Sequence, residues 1–349
     1  MQETKYISFD PWWGGFNNVR MSYETAAAIS VVTGRTLILP PNVYILFLAE
    51  HQRKDSFFDI WKIFHKPAFT SAFKTIEYKD VPEYQQFNSN TQYFEGIKDA
   101  PFVRNILFDD VMKDWGPQRN PESHVLFNKV TDVDWFNRFS RGRKKINLDT
   151  DDKFIHFPRN LLSHFYYHVY TEDMKGLAST IQSGIQLRPE YEGMASCMMF
   201  GDYNALHIRR GDFLNVRSQV TNDMYANLET LLEGRIEKDL PLYIATDEKD
   251  LSIFDFLKHK YDIKFLSDFL DSKSYTALCL DTIICSNAKT FLGSHLSTFS
   301  DYIHIQRKYK GKKDFSRHNI NHKRHEINYN ELPWEQEKYT WDNLWVNLY

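Results

Sequence analysis

L-H-I-R-R-G-D-F, Leu206 to Phe213, is the stretch on which the fold turns. It closes an apolar run that begins at Asn204 and opens a polar one, so it reads as a buried strand whose tip presents two guanidinium groups. An arginine fork matches a phosphate or carboxylate in a bidentate way, which points to an anionic ligand. In isolation R-R-G-D also fits a surface Arg–Asp pair in a loop. Strand alternation separates the two arginines, sending Arg209 toward a ligand and leaving Arg210 to pair with Asp212.

Outward from this stretch, the second half of the chain alternates strands and helices. Strands are expected at Asn204–Ile208, Leu242–Ala245, Ile263–Leu266 and Thr290–Leu292. Helices are expected at Met224–Glu237, Leu251–Lys258, Tyr275–Cys285 and Thr298–Arg307. Such alternation implies a parallel sheet with right-handed crossovers, and ligands of such sheets bind at the carboxyl ends of the strands. Three polar clusters then meet at one edge: H-I-R-R-G-D, Thr246-Asp247-Glu248, and G-S-H-L-S-T-F-S at Gly293–Ser300. Ser297 and Thr298 stand where a helix begins, so their hydroxyls and the free N–H groups of its first turn suit a phosphate, and Gly293 allows close backbone approach. As a plain helix cap, Ser297 needs no ligand.

The first half opens on a strand at Tyr6–Phe9, the loop P-W-W-G-G-F-N-N, a helix to the stop at Gly34, and a strand at Thr36–Leu39. Nucleotide-binding α/β domains begin in this order, although Gly14-Gly15 lacks the third glycine of the dinucleotide fingerprint. Gly15 allows close approach, Asn17 and Asn18 offer amides, and Arg20 lies one turn into the helix. Asn17 or Asn18 as an N-cap is the structural alternative. The region from Glu50 to Pro158 is less legible, with a packed helix or turn expected at Ser56–Phe64. The texture changes near Ile185, giving an N-terminal domain over 1–185, a C-terminal domain over 186–310, and a basic, then aromatic tail over 311–349 whose indoles pack back on the domains.

Composition limits the function classes. A chain of 349 residues accommodates two ordinary domains, and a net charge of −3 argues against nucleic acid as a partner. The densest apolar patch, Val43–Ala49, falls short of the roughly 18 residues of a membrane span. The stretch M-Q-E-T-K-Y-I-S-F-D carries acids and has no apolar h-region, so a cleavable signal peptide is not expected there, and three cysteines, Cys197, Cys279 and Cys285, read as reduced buried thiols, so a cytoplasmic location is expected. Asp132-Val133-Asp134 and the run Asp149–Asp152 have the D-x-D spacing of a divalent-metal site, but 46 acidic residues produce such spacings by chance, and no metal is expected. His164 and His168 lack the glutamate of H-E-x-x-H and read as packing or surface polarity. Arg141–Lys145 reads as a solvated loop. The stretch Gln306–His325 reads as a solvated connector, with an anionic acceptor, nucleic acid or a peripheral membrane surface as the contacts it leaves open.

G-G-F-N-N-V-R-M-S-Y-E with T-G-R-T-L-I-L-P-P, then H-I-R-R-G-D-F, then D-T-I-I-C-S-N-A-K-T-F-L-G-S-H-L-S-T-F-S-D-Y-I resemble, in order, three motif regions of the GDP-fucose-dependent protein O-fucosyltransferases and their wider superfamily. The third block is most similar to the thrombospondin-repeat-modifying branch, and the first is at least as close to the plant members. The resemblance implies an α/β GT-B architecture, two Rossmann-like domains facing a cleft, and metal-independent inverting transfer of fucose from GDP-fucose to a glycan, glycoconjugate or protein hydroxyl. It further implies that Arg209 binds the diphosphate, that Ser297, Thr298 and Phe299 form the phosphate turn, and that Asp281 contacts guanine. Gly15, Phe16 and Asn17 would cover the donor, and His207 would lie beside the nucleotide. The thrombospondin-repeat branch has a candidate base, a glutamate, where this chain has Gly14. Leaving-group stabilisation by Arg209, with Asn17 orienting the acceptor, is therefore the expected mechanism. A UDP-rhamnose donor and a non-catalytic nucleotide-sugar or glycan binder are the alternatives.

Overall fold

The computed structural model describes residues 3–11, 15–43, 45, 57–106, 124–127, 145–158, 162, 167–171, 173–199, 201–211, 213–216, 225–226, 228–270, 275–294 and 297–312. Gly14, Asp132, Asp134, Arg141–Lys144, His164, Asp212 and the tail beyond 312 lie outside them. Two compact units divide between Gln186 and Leu187.

The N-terminal unit is built on β1 (Tyr6–Phe9), α1 (Phe16–Thr33), β2 (Thr36–Leu39), α2 (Lys66–Ala72), β3 (Thr75–Glu77), α3 (Asn90–Gly96) and β4 (Val103–Asn105). It continues through β5 (His124–Phe127), β6 (Lys145–Asn147), β7 (Phe154–Phe157), β8 (Tyr167–Tyr170) and α4 (Met174–Gly184). A five-stranded parallel sheet runs β3-β2-β1-β7-β4, and a three-stranded parallel sheet runs β6-β5-β8. β1, β2 and β7 are short and nearly free of solvent, the composition that parallel strands covered on both faces require. The αL residue Gly34, φ 67°, stops α1. The alternative that Asn17 or Asn18 caps α1 does not hold: the N-cap is Gly15, and both asparagines lie inside the helix. Of the stretch Ser56–Phe64, the described residues from Phe57 on contain a short 3-10 turn at Ile60–Lys62, capped by Asp59. His168 sits in a strand, so helical i, i+4 spacing with His164 does not apply to it.

The C-terminal unit contains α5 (Pro189–Met198), β9 (Asn204–Ile208), α6 (Phe213–Val216), α7 (Leu228–Leu232), β10 (Leu242–Thr246), β11 (Ile263–Lys264), α8 (Tyr275–Asn287), β12 (Thr290–Leu292) and α9 (Thr298–Tyr309). Its sheet is parallel, ordered β11-β10-β9-β12, the order in which a doubly wound sheet begins. The helix expected over Met224–Glu237 ends early because Gly234 takes φ 76°. The strand expected over Ile263–Leu266 stops at Lys264, since the Phe265 N–H turns to the Asp268 carboxylate at 2.7 Å and starts a 3-10 turn. Leu251–Leu257 is likewise 3-10, its start capped by Asp250. Leu206, Ile208, Leu242, Ile244 and Leu292 supply the sheet's part of one buried cluster with Leu228, Leu232, Phe254 and Leu257. Cys279 and Cys285 are buried as expected, whereas Cys197 is exposed on α5. Among the described residues no helix is long and apolar enough to cross a membrane.

Candidate active site

β9 lies between β10 and β12 in the C-terminal unit, so the three polar clusters leave neighbouring strand tips. The first lock is between β9 and β12. Ser294 accepts the Arg209 backbone N–H on Oγ at 2.8 Å and donates the same hydroxyl to the His207 carbonyl at 3.0 Å. This fixes the chain where β9 ends and sets the direction of the R-R-G turn. Ser294 was present in the sequence motif but carried no separate signal, because its partners are set only by strand order.

The second lock comes from the tip of β10. Asp247 accepts the backbone N–H groups of Arg210 at 2.7 Å and Gly211 at 3.1 Å on Oδ1, while Oδ2 lies 2.8 Å from Arg209 Nη1. The R-R-G turn forms a small anion nest, and the chain's own carboxylate fills it. Arg209 also sits 5.6 Å from the Phe213 ring centroid, and its side chain keeps 30% exposure. Arg210 diverges as alternation requires, but its described partner is Glu248, at 2.8 Å from Nε, and its guanidinium lies 4.8 Å from the Tyr225 ring centroid.

The third cluster starts α9. The Ser297 carbonyl accepts the Asp301 N–H at 3.0 Å, which puts Ser297 at the head of the helix, 4% exposed, with Thr298 and Phe299 half-buried in the first turn. The helix terminus carries positive potential toward this edge. Gly293 does allow a close approach, but of Ser300: a Cβ there would come within 2.6 Å of the Ser300 Cβ. That contact brings Ser300 Oγ to 2.7 Å from His207 Nδ1, and the His207 ring packs on Phe299 with centroids 4.7 Å apart. Burial, reinforced by the Arg209 charge, pushes His207 down to about 3, so the imidazole is neutral.

Asp281 stands apart from these tip residues. It lies on α8 and accepts the Tyr243 hydroxyl at 2.5 Å, and Tyr243 is the second residue of β10. Burial raises its carboxyl to about 7, against the hydrogen bond that lowers it.

In the N-terminal unit, Gly15 precedes the first turn of α1 and Phe16 packs on Phe64, with centroids 5.5 Å apart. Asn17 is 3% exposed and its Oδ1 accepts Arg20 Nε at 3.1 Å. Arg20, 1% exposed, also forms an ion pair with Glu24. Asn18 is half-buried on the same turn. Among the described residues, no group of three His, Cys, Asp or Glu side chains is placed to hold a metal ion.

Two parallel α/β units are the parts from which GT-B glycosyltransferases are built, and solved structures share the fold. Crystal structures of POFUT1 in complex with GDP and in apo form each superpose with TM-score 0.50 at 12% identity, covering 90% of this chain and 98% of theirs. NodZ alpha-1,6-fucosyltransferase co-crystallized with GDP gives TM-score 0.47 at 14% identity, over 88% of this chain and 93% of that one. The family model for GDP-fucose protein O-fucosyltransferase matches residues 6–310, and the chain belongs to that family. It is a fucosyltransferase-like glycosyltransferase. No curated protein matches it in sequence.

Proposed function

We propose that the protein transfers L-fucose from GDP-fucose to a hydroxyl of a glycan, glycoconjugate or protein, with inversion and without a metal. The observation that carries this reading is Arg209, held by Asp247 and Ser294 beside the head of α9. Departure of GDP leaves charge on the diphosphate. A preorganised guanidinium and a helix N-terminus stabilise that charge more in the transition state than in the ground state, the task a divalent ion performs in other transferases.

Arg209 and the turn Ser297-Thr298-Phe299 are assigned to the diphosphate, and neutral His207 to a place beside the nucleotide. Asp281 is assigned to the donor base. Gly15, Phe16, Asn17, Asn18 and Arg20 are assigned to the donor side of the N-terminal unit, with Asn17 orienting the acceptor. The three free cysteines support action in the cytoplasm.

Incubation with GDP-fucose and a cell-derived glycan pool, read by product mass spectrometry, tests the activity. An Arg209→Ala protein that turns over normally removes the mechanism, and activity lost in EDTA removes metal independence. If GDP binds no more tightly than UDP by calorimetry, the donor is a different nucleotide sugar. Binding without turnover makes the chain a sensor.

A further inference from the structure

The two ring nitrogens of His207 stand in different surroundings. His207 alternates on β9 with Leu206 and Ile208, which belong to the buried apolar cluster, so its ring lies on the other face of the sheet with the first turn of α9. There Phe299 packs on the ring and Ser300 Oγ lies 2.7 Å from Nδ1. Gly293 leaves the space for this contact, since a Cβ on it would stand 2.8 Å from the same Oγ. Nε2 differs. No hydrogen bond among the described residues takes it, and it is not one of the unpartnered atoms sealed from solvent, so it belongs to the small part of His207 that stays accessible.

These surroundings place the proton. Burial and the Arg209 charge keep the ring neutral, so one nitrogen holds a proton and the other accepts. Ser300 is 2% exposed, and among the described residues its hydroxyl has His207 Nδ1 as its hydrogen-bond partner. A proton on Nδ1 would donate to Oγ and leave the serine's own proton buried with no acceptor, the costly arrangement. With Ser300 as the donor, the hydroxyl proton is met and the imidazole proton lies on Nε2. The accessible nitrogen is therefore a donor. It is carried on the strand end that Ser294 fixes, through the His207 carbonyl and the Arg209 N–H, so donor and guanidinium share one rigid support.

We propose that Ser300 is a positioning residue that makes His207 an Nε2–H donor, and that this donor takes an oxygen of the bound nucleoside diphosphate. The inference rests on the GDP-fucose reading above and gives the hydrogen-bonding state in which His207 serves it. Arg209 supplies charge to the site, and His207 supplies direction without charge.

Nitrogen-15-labelled wild-type protein tests the proton's place without any variant. Long-range proton–nitrogen correlations of the histidine rings are expected to show Nε2 protonated and Nδ1 unprotonated before nucleotide is added, with His207 assigned by the signals missing in His207→Gln. A protonated Nδ1 overturns the proposal. Ser300→Ala is expected to move the Nδ1 resonance downfield, as an imidazole nitrogen does on losing a hydrogen bond. It should also weaken GDP binding about 2- to 10-fold by calorimetry, the worth of one hydrogen bond. An unmoved Nδ1 resonance overturns the role of Ser300.

Side-chain length checks the outward donor. A glutamine amide nitrogen reaches about as far as Nε2, and that of asparagine only as far as Nδ1. His207→Gln is therefore expected to hold GDP within a few-fold of wild type, and His207→Asn to lose about 10- to 100-fold, as when a charged acceptor loses its donor. Equal losses overturn the donor. Ser300→Ala added to His207→Gln is expected to cost nothing further, because Ser300 acts through the ring, and a full additional loss overturns its positioning role. Wild-type protein with Nε2 protonated that binds no GDP leaves the Ser300–His207 relationship standing. That result overturns the GDP-fucose reading, and with it the nucleotide as acceptor of this hydrogen bond.

Discussion

Asp247 holds both Arg209 and the turn that follows it: Oδ2 lies 2.8 Å from the Arg209 guanidinium, and Oδ1 takes the backbone N–H groups of Arg210 and Gly211. An ion pair with 30% and 16% exposed side chains adds only about 0–1 kcal/mol to stability, so its consequence is orientation. Asp247→Ala is expected to cost about 1–3 kcal/mol through the orphaned backbone donors. GDP-fucose turnover should fall far more, on the order of 100-fold, as when a preorganised charge-stabilising group is lost. Parallel urea melts and initial rates check this: turnover near wild type in a folded Asp247→Ala protein would mean that Arg209 needs no such support.

At the strand tips of the C-terminal unit, glycine is required for space at Gly211 and Gly293. A Cβ at Gly211 would stand 2.3 Å from Asp247 Oδ2, and one at Gly293 would stand 2.6 Å from the Ser300 Cβ. The Asp247 carboxylate can rotate aside, so Gly211→Ala is expected to keep the fold and reduce turnover by releasing Arg209. Ser300 Cβ is fixed to α9 and cannot move alone. Gly293→Ala is therefore expected to cost about 1–3 kcal/mol of overpacking strain. It should also break the Ser300–His207 hydrogen bond, visible as a shift of the His207 ring signals in NMR.

Much of this site was legible because the strands of the C-terminal unit are short apolar runs bounded by turn residues, and the polar clusters at their ends are contiguous in sequence. β12 was readable residue for residue, and Ser297-Thr298 does begin a helix. Partnerships across the sheet could not be read. Nothing local says that β9 lies between β10 and β12, so Asp247 and Ser294 had no visible link to Arg209. The same holds for β7: F-I-H-F is four residues with an imidazole inside it, and its place beside β1 depends on a register between distant segments. Helix lengths failed where one residue decided the backbone, as at Gly234.

Arg307 illustrates a buried charge whose purpose is structural. With no exposed surface, it donates from Nη1 to the Ala288 carbonyl at 2.5 Å and from Nη2 to the Lys289 carbonyl at 3.2 Å. These carbonyls lie just past the end of α8, where helix C-termini leave acceptors unmet. Arg307→Met is expected to destabilise the protein by about 2–4 kcal/mol, since several buried carbonyls lose a charged donor. Arg307→Lys should recover only part of this, because an ammonium cannot reproduce the planar fork. Chemical denaturation of the two variants measures both losses.

Asp281 makes stability depend on pH with a sign opposite to that of a salt-bridged carboxylate. Its ordinary value is 3.8, and in the folded protein burial raises it to about 7, the Tyr243 hydrogen bond only partly opposing this. Between those values the folded state holds a proton that the unfolded state has released. Its contribution is therefore full below about pH 4 and is lost as pH rises through about 7. Asp281 keeps some contact with solvent, so the whole effect is on the order of 1–3 kcal/mol. Asparagine can still accept from Tyr243 and has no charge to bury. Asp281→Asn should accordingly melt higher than wild type at pH 8, with the difference shrinking toward pH 5. A melting-temperature difference that is flat across this range would show that the Asp281 carboxyl is not raised.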